Sequence, residues 1–491
     1  MPDSAPAPAP VVVVGAGPAG LTAAWELDAL GRTDVQVFEA DAVVGGIART
    51  NEYRGYRYDL GGHRFFTRVQ RVQQLWEEIL GDELLVRPRL SRILYRGAWF
   101  DYPLRPLRAL WSLGPLESLR VGASLLRARL WPEPEERTFD QWVSNRFGRR
   151  LFDIFFRTYT EKVWGIPCEE IGAEWAAQRI KDLDLVGALR TALLGGPRAT
   201  SLIEEFHYPR LGPGQMWERC ADLLERRGVA VHTSTPVVTI RHAAGRVHSA
   251  VTADGGEHRV GHLVSSMPLS SLIDAMDPPA PAAVRLAART LRYRDFLTVL
   301  LLVRGGDRFP DNWLYVHAPE VRVGRVQNFG NWSPDLLADP NTSALGLEYF
   351  VNRDDPLWTA PDEEVVAFAT QELAAIGLAD ASDVFDGCVA RVPKAYPVYD
   401  GGWRAAVDTI RGWIAPLENL HVVGRNGQHR YNNQDHSMLT GILAAENIAS
   451  STQHDLWSVN VEADYHEGAT PRGDSGDRLV PRRVSRVAGR A

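Results

Sequence analysis

Only three cysteines occur in 491 residues, and Cys168, Cys220 and Cys388 lie too far apart for a metal knuckle or a redox pair. They read as reduced thiols, and no metal site is expected. Long apolar runs are also missing. No stretch offers the roughly 18 unbroken apolar residues that a membrane span requires. Residues 1–10 are rich in Ala and Pro and lack the positive region of a secretory leader, so the cytoplasm is the expected location. Basic runs are absent as well. The formal charge is -7, with Lys and Arg dispersed among Asp and Glu, which excludes a row of neutralised phosphates and hence a nucleic-acid partner. An anionic ligand must instead be held by a few placed arginines. Nothing in the sequence fixes an oligomeric state.

The length calls for two or three sub-domains, because one hydrophobic core stops growing well short of it. The clearest element comes first. Val11 to Val14 is a β-branched run suited to a buried parallel strand, and it ends in Gly15-Ala16-Gly17-Pro18-Ala19-Gly20. A helix over 21–30 and a second strand over 35–39, ending in Glu39, complete a β-α-β unit of about 30 residues. In that context Gly15 permits the tight turn, Gly17 admits a pyrophosphate, Gly20 lets the helix pack on the strand, and Glu39 meets the ribose hydroxyls. Two further glycine turns follow, Gly45-Gly46-Ile47-Ala48-Arg49 and Asp59-Leu60-Gly61-Gly62-His63. A simple dehydrogenase has no use for them, whereas a cofactor extended across the domain needs close backbone approach at both places. FAD is therefore the expected cofactor, with Gly46, Arg49, Gly61, Gly62 and His63 beside it.

Beyond residue 70 the pattern reads as helical to about 205, with candidate helices over 69–80, 107–130 and 139–156. Strands return over 229–240, 247–251 and 263–266, which suits a return to the nucleotide-binding sheet. Segments 298–303, 313–317, 325–328 and 344–351 predict an antiparallel sheet. A strand over 420–424 and a helix over 441–449 close the pattern. The expected fold is α/β. A Rossmann-type FAD-binding domain is assembled from 1–75, 206–270 and 391–455, with a helical cap over 76–205 and an antiparallel-sheet substrate domain over 271–390. Residues 468–491 read as a disordered tail.

Gly61-Gly62-His63, Lys162-Val163-Trp164-Gly165-Ile166-Pro167, Tyr208-Pro209, Tyr396-Pro397 and Asn433-Gln434-Asp435-His436-Ser437 occur in an order that resembles the UDP-galactopyranose mutases. These belong to the amine-oxidase-like FAD superfamily, and the likeness is closer to the eukaryotic form and runs from about residue 11 to 450. The resemblance implies a flavin-dependent isomerase that interconverts pyranose and furanose forms of a nucleoside diphosphate sugar. In that mechanism the reduced flavin attacks the anomeric carbon through N5 and displaces UDP, so the reduced form is the active one and NAD(P)H is a candidate reductant. It also implies roles for individual residues. Arg179 and Arg325, with Tyr315, Tyr396 and Tyr431, grip the diphosphate, and guanidinium forks and phenols suit phosphoryl oxygens. Tyr102 and Trp164 line the substrate pocket, and His63 sits against the flavin. Gly424, Asn433, Gln434 and Ser437 supply the distant flavin contact, at a turn ahead of the last helix. One position departs from the pattern: the family's uracil-reading glutamine is Arg105 here, and arginine has no acceptor. That leaves a different base or a phosphate contact at Arg105. The alternative activity is a true FAD oxidoreductase of the amine-oxidase or desaturase type, acting on a sugar or specialised metabolite.

Overall fold

A computed structural model describes residues 9–102, 104, 106–173, 205–306, 308–450, 452–460 and 484–485. Two sheets organise it. The first is parallel and five-stranded, in the order Leu420–Val422, His262–Ser265, Val11–Val14, Val35–Phe38 and Ala230–His232. Val11–Val14 needs a β-branched residue at every position because both faces of the sheet are covered. Val11 and Val13 join the core under helices Pro18–Ala29 and Gln434–Ala449, while Val12 and Val14 join the core on the opposite face. The two helices approach closely at Gly441, where a Cβ would lie 2.4 Å from the Ala19 carbonyl oxygen.

The second sheet has seven strands, in the order Val384–Pro397, Tyr293–Arg304, Thr342–Val351, Arg325–Asn328, Trp313–Val316, Ser91–Tyr95 and Ala98–Asp101. Its first five strands are antiparallel to one another in turn, and the fifth, Trp313–Val316, pairs in parallel with Ser91–Tyr95. The strands expected over 298–303, 313–317, 325–328 and 344–351 all lie in it.

Three expectations need correction. Residues 84–101, read as helical, form the strands Leu84–Pro88, Ser91–Tyr95 and Ala98–Asp101. Leu84–Pro88 pairs with Glu205–Pro209 and Ser91–Tyr95 with Trp313–Val316, and such distant pairing overrides local propensity, while Ala98–Asp101 joins Ser91–Tyr95 as a hairpin. The helix over 107–130 is two helices, Pro106–Leu113 and Pro115–Leu130, broken where Gly114 takes φ +81° ahead of a proline that lacks an N–H. Gly148, at φ +79°, likewise divides 139–156. Finally, Val237–Ala243 and Arg246–Thr252 do not join the nucleotide-binding sheet. They build a separate four-stranded sheet, and only Ala230–His232 and His262–Ser265 rejoin the first.

Of the expected tail, residues 468–483 and 486–491 lie outside the described residues. Val484–Ser485 pair antiparallel with Thr452–Gln453. No described helix is long and apolar enough to cross a membrane.

Candidate active site

The carboxyl ends of three adjacent parallel strands bring Gly15, Ser266 and Gly424 together, where open α/β sheets bind their ligands. Gly15 has φ +97°, and a Cβ there would stand 2.2 Å from Ser266 Oγ. A Cβ on Gly20 would stand 1.9 Å from the Gly15 carbonyl oxygen, so helix Pro18–Ala29 sits against the turn only because Gly20 is bare. Gly17 is the N-cap of that helix and offers no side-chain cap, leaving the first N–H groups directed at the turn. A Cβ on Gly17 would reach 3.8 Å from Gly46 Cα, so the two glycine turns face each other across a gap one small side chain would fill. The Gly45 N–H donates to the Ala16 carbonyl at 2.8 Å and ties the turns together.

Glu39 orders this loop. Its carboxylate accepts the Ala16 N–H at 2.7 Å and the Asp41 N–H at 2.9 Å. Burial pushes its pKa up, against those two donors, and each oxygen keeps a lone pair for a hydroxyl. Arg49 donates to Asp41 at 2.5 Å and keeps a buried Nε without a partner. An uncapped helix end, facing glycine turns and a carboxylate with spare lone pairs fit a dinucleotide such as FAD.

Asn433, Gln434 and Ser437 are not in a turn ahead of the last helix. That helix starts at Gln434, and the sequence reading began it seven residues late because its first turn is polar. Asn433 is its N-cap, forming a capping box with His436, whose Nδ1 accepts the Asn433 N–H at 3.2 Å. Gln434 accepts from Trp217 at 3.2 Å, and Ser437 is buried in the first turn. Gly424, at φ +80°, donates its N–H to Thr440 at 2.9 Å. The segment therefore braces the helix against the cradle.

The seven-stranded sheet supplies the opposite wall. Register places Tyr315, Arg325 and Glu348 directly across from one another, so strand alternation sends all three to one face. Arg325 Nε donates to the fully buried Glu348 carboxylate, and its Nη2 donates to the Tyr396 hydroxyl at 3.2 Å. Gln327 donates to the other Glu348 oxygen at 2.7 Å. Burial opposes the charge of the Arg325 guanidinium, but Glu348, with Tyr396, Tyr159 and Tyr431, raises its pKa well above that of a free arginine. Tyr396 stacks on Tyr431 with ring centres 5.7 Å apart, and Trp164 stands 6.1 Å from Tyr431. Tyr315 lies 4.7 Å from Tyr102. Four expected phenols and Arg325 thus share one wall. Arg105 and Arg179 lie outside the described residues.

His63 stands where cradle and wall meet. A Cβ on Gly61 would lie 3.7 Å from the imidazole and 3.8 Å from Glu348, and one on Gly62 would lie 3.1 Å from Gln327. Enclosure by the protein, then the charges of Arg425 and Arg325, push the His63 pKa down to about 3. The ring is neutral, and its buried Nδ1 has no hydrogen-bond partner.

Several site residues escaped the sequence reading. Arg425 lies 4.9 Å from the Tyr431 ring centre and 5.4 Å from that of Tyr396, and its place directly after Gly424 was the available signal. Tyr159 packs edge-on to Tyr315 at 5.4 Å, and Arg89 lies over Tyr102 at 5.6 Å. Glu348 gave no signal, being one acid in an apolar strand. Lys162, by contrast, stays outside the chemistry. Its ammonium caps the carbonyls of Val316, Ala318 and Val323 at 3.2, 2.7 and 3.1 Å, and burial lowers its pKa to about 8. Gly165 ends the helix Thr158–Trp164 at φ +65° against Arg294, which donates to the Lys162 and Val163 carbonyls. That motif therefore clamps the helical layer onto the sheet.

Burial pushes all three thiols up, that of Cys220 to about 12, so none is a thiolate nucleophile near neutral pH. Among the described residues no group of acids, histidines or cysteines could hold a metal ion. The wall offers guanidinium and phenol donors beside aromatic rings, groups suited to an anionic ligand.

Comparison with known proteins agrees on the scaffold. A coproporphyrinogen III oxidase of Mycobacterium tuberculosis is 26% identical over 442 residues, covering 82% of this chain and 90% of that protein. One from Propionibacterium freudenreichii is 24% identical, covering 73% and 75%. In fold, the chain matches a crystal structure of reduced UDP-galactopyranose mutase with TM-score 0.79 at 22% identity, over 90% of this chain and 95% of that one. It also matches putrescine oxidase bound to putrescine, with TM-score 0.60 at 18% identity, over 90% and 98%. The family model described as flavin containing amine oxidoreductase matches residues 18–449, from the first turn of the cradle helix to the end of the last one. With the cradle built for a dinucleotide and the match spanning both walls of the site, the chain belongs to the flavin containing amine oxidoreductase family and is an FAD enzyme.

Proposed function

We propose that this enzyme is a flavin-dependent isomerase that interconverts the pyranose and furanose forms of a nucleoside diphosphate sugar. The observation that carries the reading is the wall itself: Arg325, fixed by Glu348, with Tyr315, Tyr396 and Tyr431 around it. Guanidinium and phenol donors of this kind suit a diphosphate that must leave and return without escaping. Arg179 is proposed as the second arginine of that grip, and Arg105 and Trp164 as further substrate contacts. A reduced flavin bound in the cradle supplies an electron-rich nitrogen for the anomeric carbon. The chain's own residues bind, orient and neutralise. Neutral His63 presents an unpaired Nδ1 beside the cradle, where it can share a proton with the cofactor edge. NAD(P)H is proposed as the reductant.

A second reading is supported by the curated relatives, which carry oxidase names over most of their length. It is an FAD oxidoreductase whose arginines hold substrate carboxylates. The two differ in stoichiometry. Dithionite-reduced enzyme incubated with UDP-galactofuranose and related dTDP- and GDP-sugars is expected to convert one of them, by chromatography, with no oxidant consumed. Consumption of one oxidant per product would sink the isomerase. Arg325→Ala is expected to lose nucleotide binding while retaining FAD, and unchanged nucleotide affinity would contradict the assigned grip.

A further inference from the structure

Tyr431 belongs to the wall, yet it stands in an irregular loop between the short helix Gly424–Gly427 and the N-cap Asn433. No helix or strand ladder places it. Its N–H donates to the Tyr399 hydroxyl at 2.6 Å, and the chain that follows the last helix holds the rest of the loop. Gln428 Nε2 donates to the Leu456 carbonyl at 2.9 Å, and Arg430 donates to the Trp457 and Val459 carbonyls at 2.5 and 2.7 Å. In return, Asn460 Nδ2 donates to the Tyr431 carbonyl at 3.1 Å and to Asn432 Oδ1 at 3.0 Å. The holding segment is itself anchored. Leu456 and Val459 are buried in the core that contains helix Gln434–Ala449, and Trp457 packs on the core across the sheet.

Asn460 has φ +59°, a conformation that glycine adopts at least cost. Glycine would meet the backbone requirement as well, so what asparagine adds at this position is the amide that reaches Tyr431. The ring of Tyr431 stacks on Tyr396 at 5.7 Å and lies 4.9 Å from the Arg425 guanidinium. A shift of the Tyr431 backbone therefore moves its phenol relative to both. Residues 456–460 follow the stretch matched to the family, 18–449, so the family likeness assigns them no part in the site. We propose that Leu456 to Asn460 form a clasp that sets the place of Tyr431 on the wall, with Asn460 as a positioning residue for a bound nucleoside diphosphate. The inference rests on the diphosphate reading of that wall. Asn460 acts through the Tyr431 carbonyl, not on the ligand.

The test is titration calorimetry of the FAD-loaded full chain with UDP and with dTDP, for the wild type, Tyr431→Phe, Asn460→Gly and the double variant. Tyr431→Phe is expected to weaken nucleotide binding about tenfold, the worth of one hydrogen bond to a charged group. Asn460→Gly is expected to weaken it at least about threefold, part of the same loss. Its flavin content should be unchanged and its melting temperature near that of the wild type, because glycine relieves the positive φ as the amide's bonds are lost. The double variant should bind no worse than Tyr431→Phe, since without the hydroxyl nothing is left to position. Unchanged affinity in Asn460→Gly beside a weakened Tyr431→Phe would overturn the clasp and leave the diphosphate reading standing, as would losses that add in the double variant. A wild-type enzyme that binds neither nucleotide, or a Tyr431→Phe variant that binds as well as the wild type, would sink the diphosphate reading and the clasp with it.

Discussion

The two walls of the site are built by different means. The cradle is made of backbone: Gly15, Gly17, Gly20 and Gly46 contribute no side chain, and their value lies in what a Cβ would obstruct. The opposite wall is made of side chains, Tyr315, Arg325, Glu348, Tyr396 and Tyr431, drawn from separate segments and aligned by sheet register. At Gly15 and Gly20 the backbone site has no room for an added atom, and its helix N-terminus favours an anion through N–H groups that no substitution removes. A side-chain site can be retuned residue by residue, which is how one family scaffold serves several chemistries.

The strongest way to break this contrast is Gly20→Val. Its Cβ would meet a backbone oxygen at 1.9 Å, and backbone cannot yield cheaply, so a loss above about 4 kcal/mol is expected. Flavin absorbance after purification should disappear, and retained flavin would show that the turn is more plastic than claimed. Next comes Arg325→Lys, which keeps the charge and loses the fork. Nucleotide affinity should fall at least about tenfold by titration calorimetry, with flavin content unchanged, and parallel loss of both would erase the distinction between the walls. Gly165→Ala tests the clamp behind the wall. A Cβ there would stand 2.3 Å from the Arg294 guanidinium at positive φ, so a cost of about 1–3 kcal/mol should lower the melting temperature while FAD stays bound.

The smallest effect is a slope. Asp59, buried beneath the cradle, accepts from Tyr208 at 2.5 Å and Thr50 at 2.8 Å, and burial raises its pKa to about 7 from an ordinary 3.8. Because the folded pKa is raised, its contribution to stability is fully present below about pH 4 and is lost as pH rises through 7. Asp435, at the start of the last helix, is raised to about 7 as well. Asp59→Asn should therefore flatten the fall in melting temperature across that window, leaving roughly half of it to Asp435. An unchanged slope would show that Asp59 is ionised in the folded protein.

Much of the cradle was legible because its information is local. Val11–Val14, the glycines after it and Glu39 lie within one stretch of about 30 residues whose spacing encodes the turn. The wall was legible only in part. Tyr315, Tyr396, Tyr431 and Arg325 could be named from ordered motifs, but the motifs carry no geometry. Tyr159 and Glu348 have no short-range pattern to mark them, and Arg425 had only its place directly after Gly424. Leu84–Pro88 and Ser91–Tyr95 were missed for the same reason, since they pair with Glu205–Pro209 and Trp313–Val316, far away in sequence.

By itself the sequence determined the α/β class, the dinucleotide turn and the identity of the groups available to hold an anion. Glycine and β-branched patterns act over a few residues, and their consequences can be read where they stand. Only the tertiary structure decided which arginine is fixed by a buried acid, and that Lys162 and Gly165 clamp rather than react. Those outcomes depend on which surfaces meet, and pairing, burial and electrostatic partnership are properties of the folded chain.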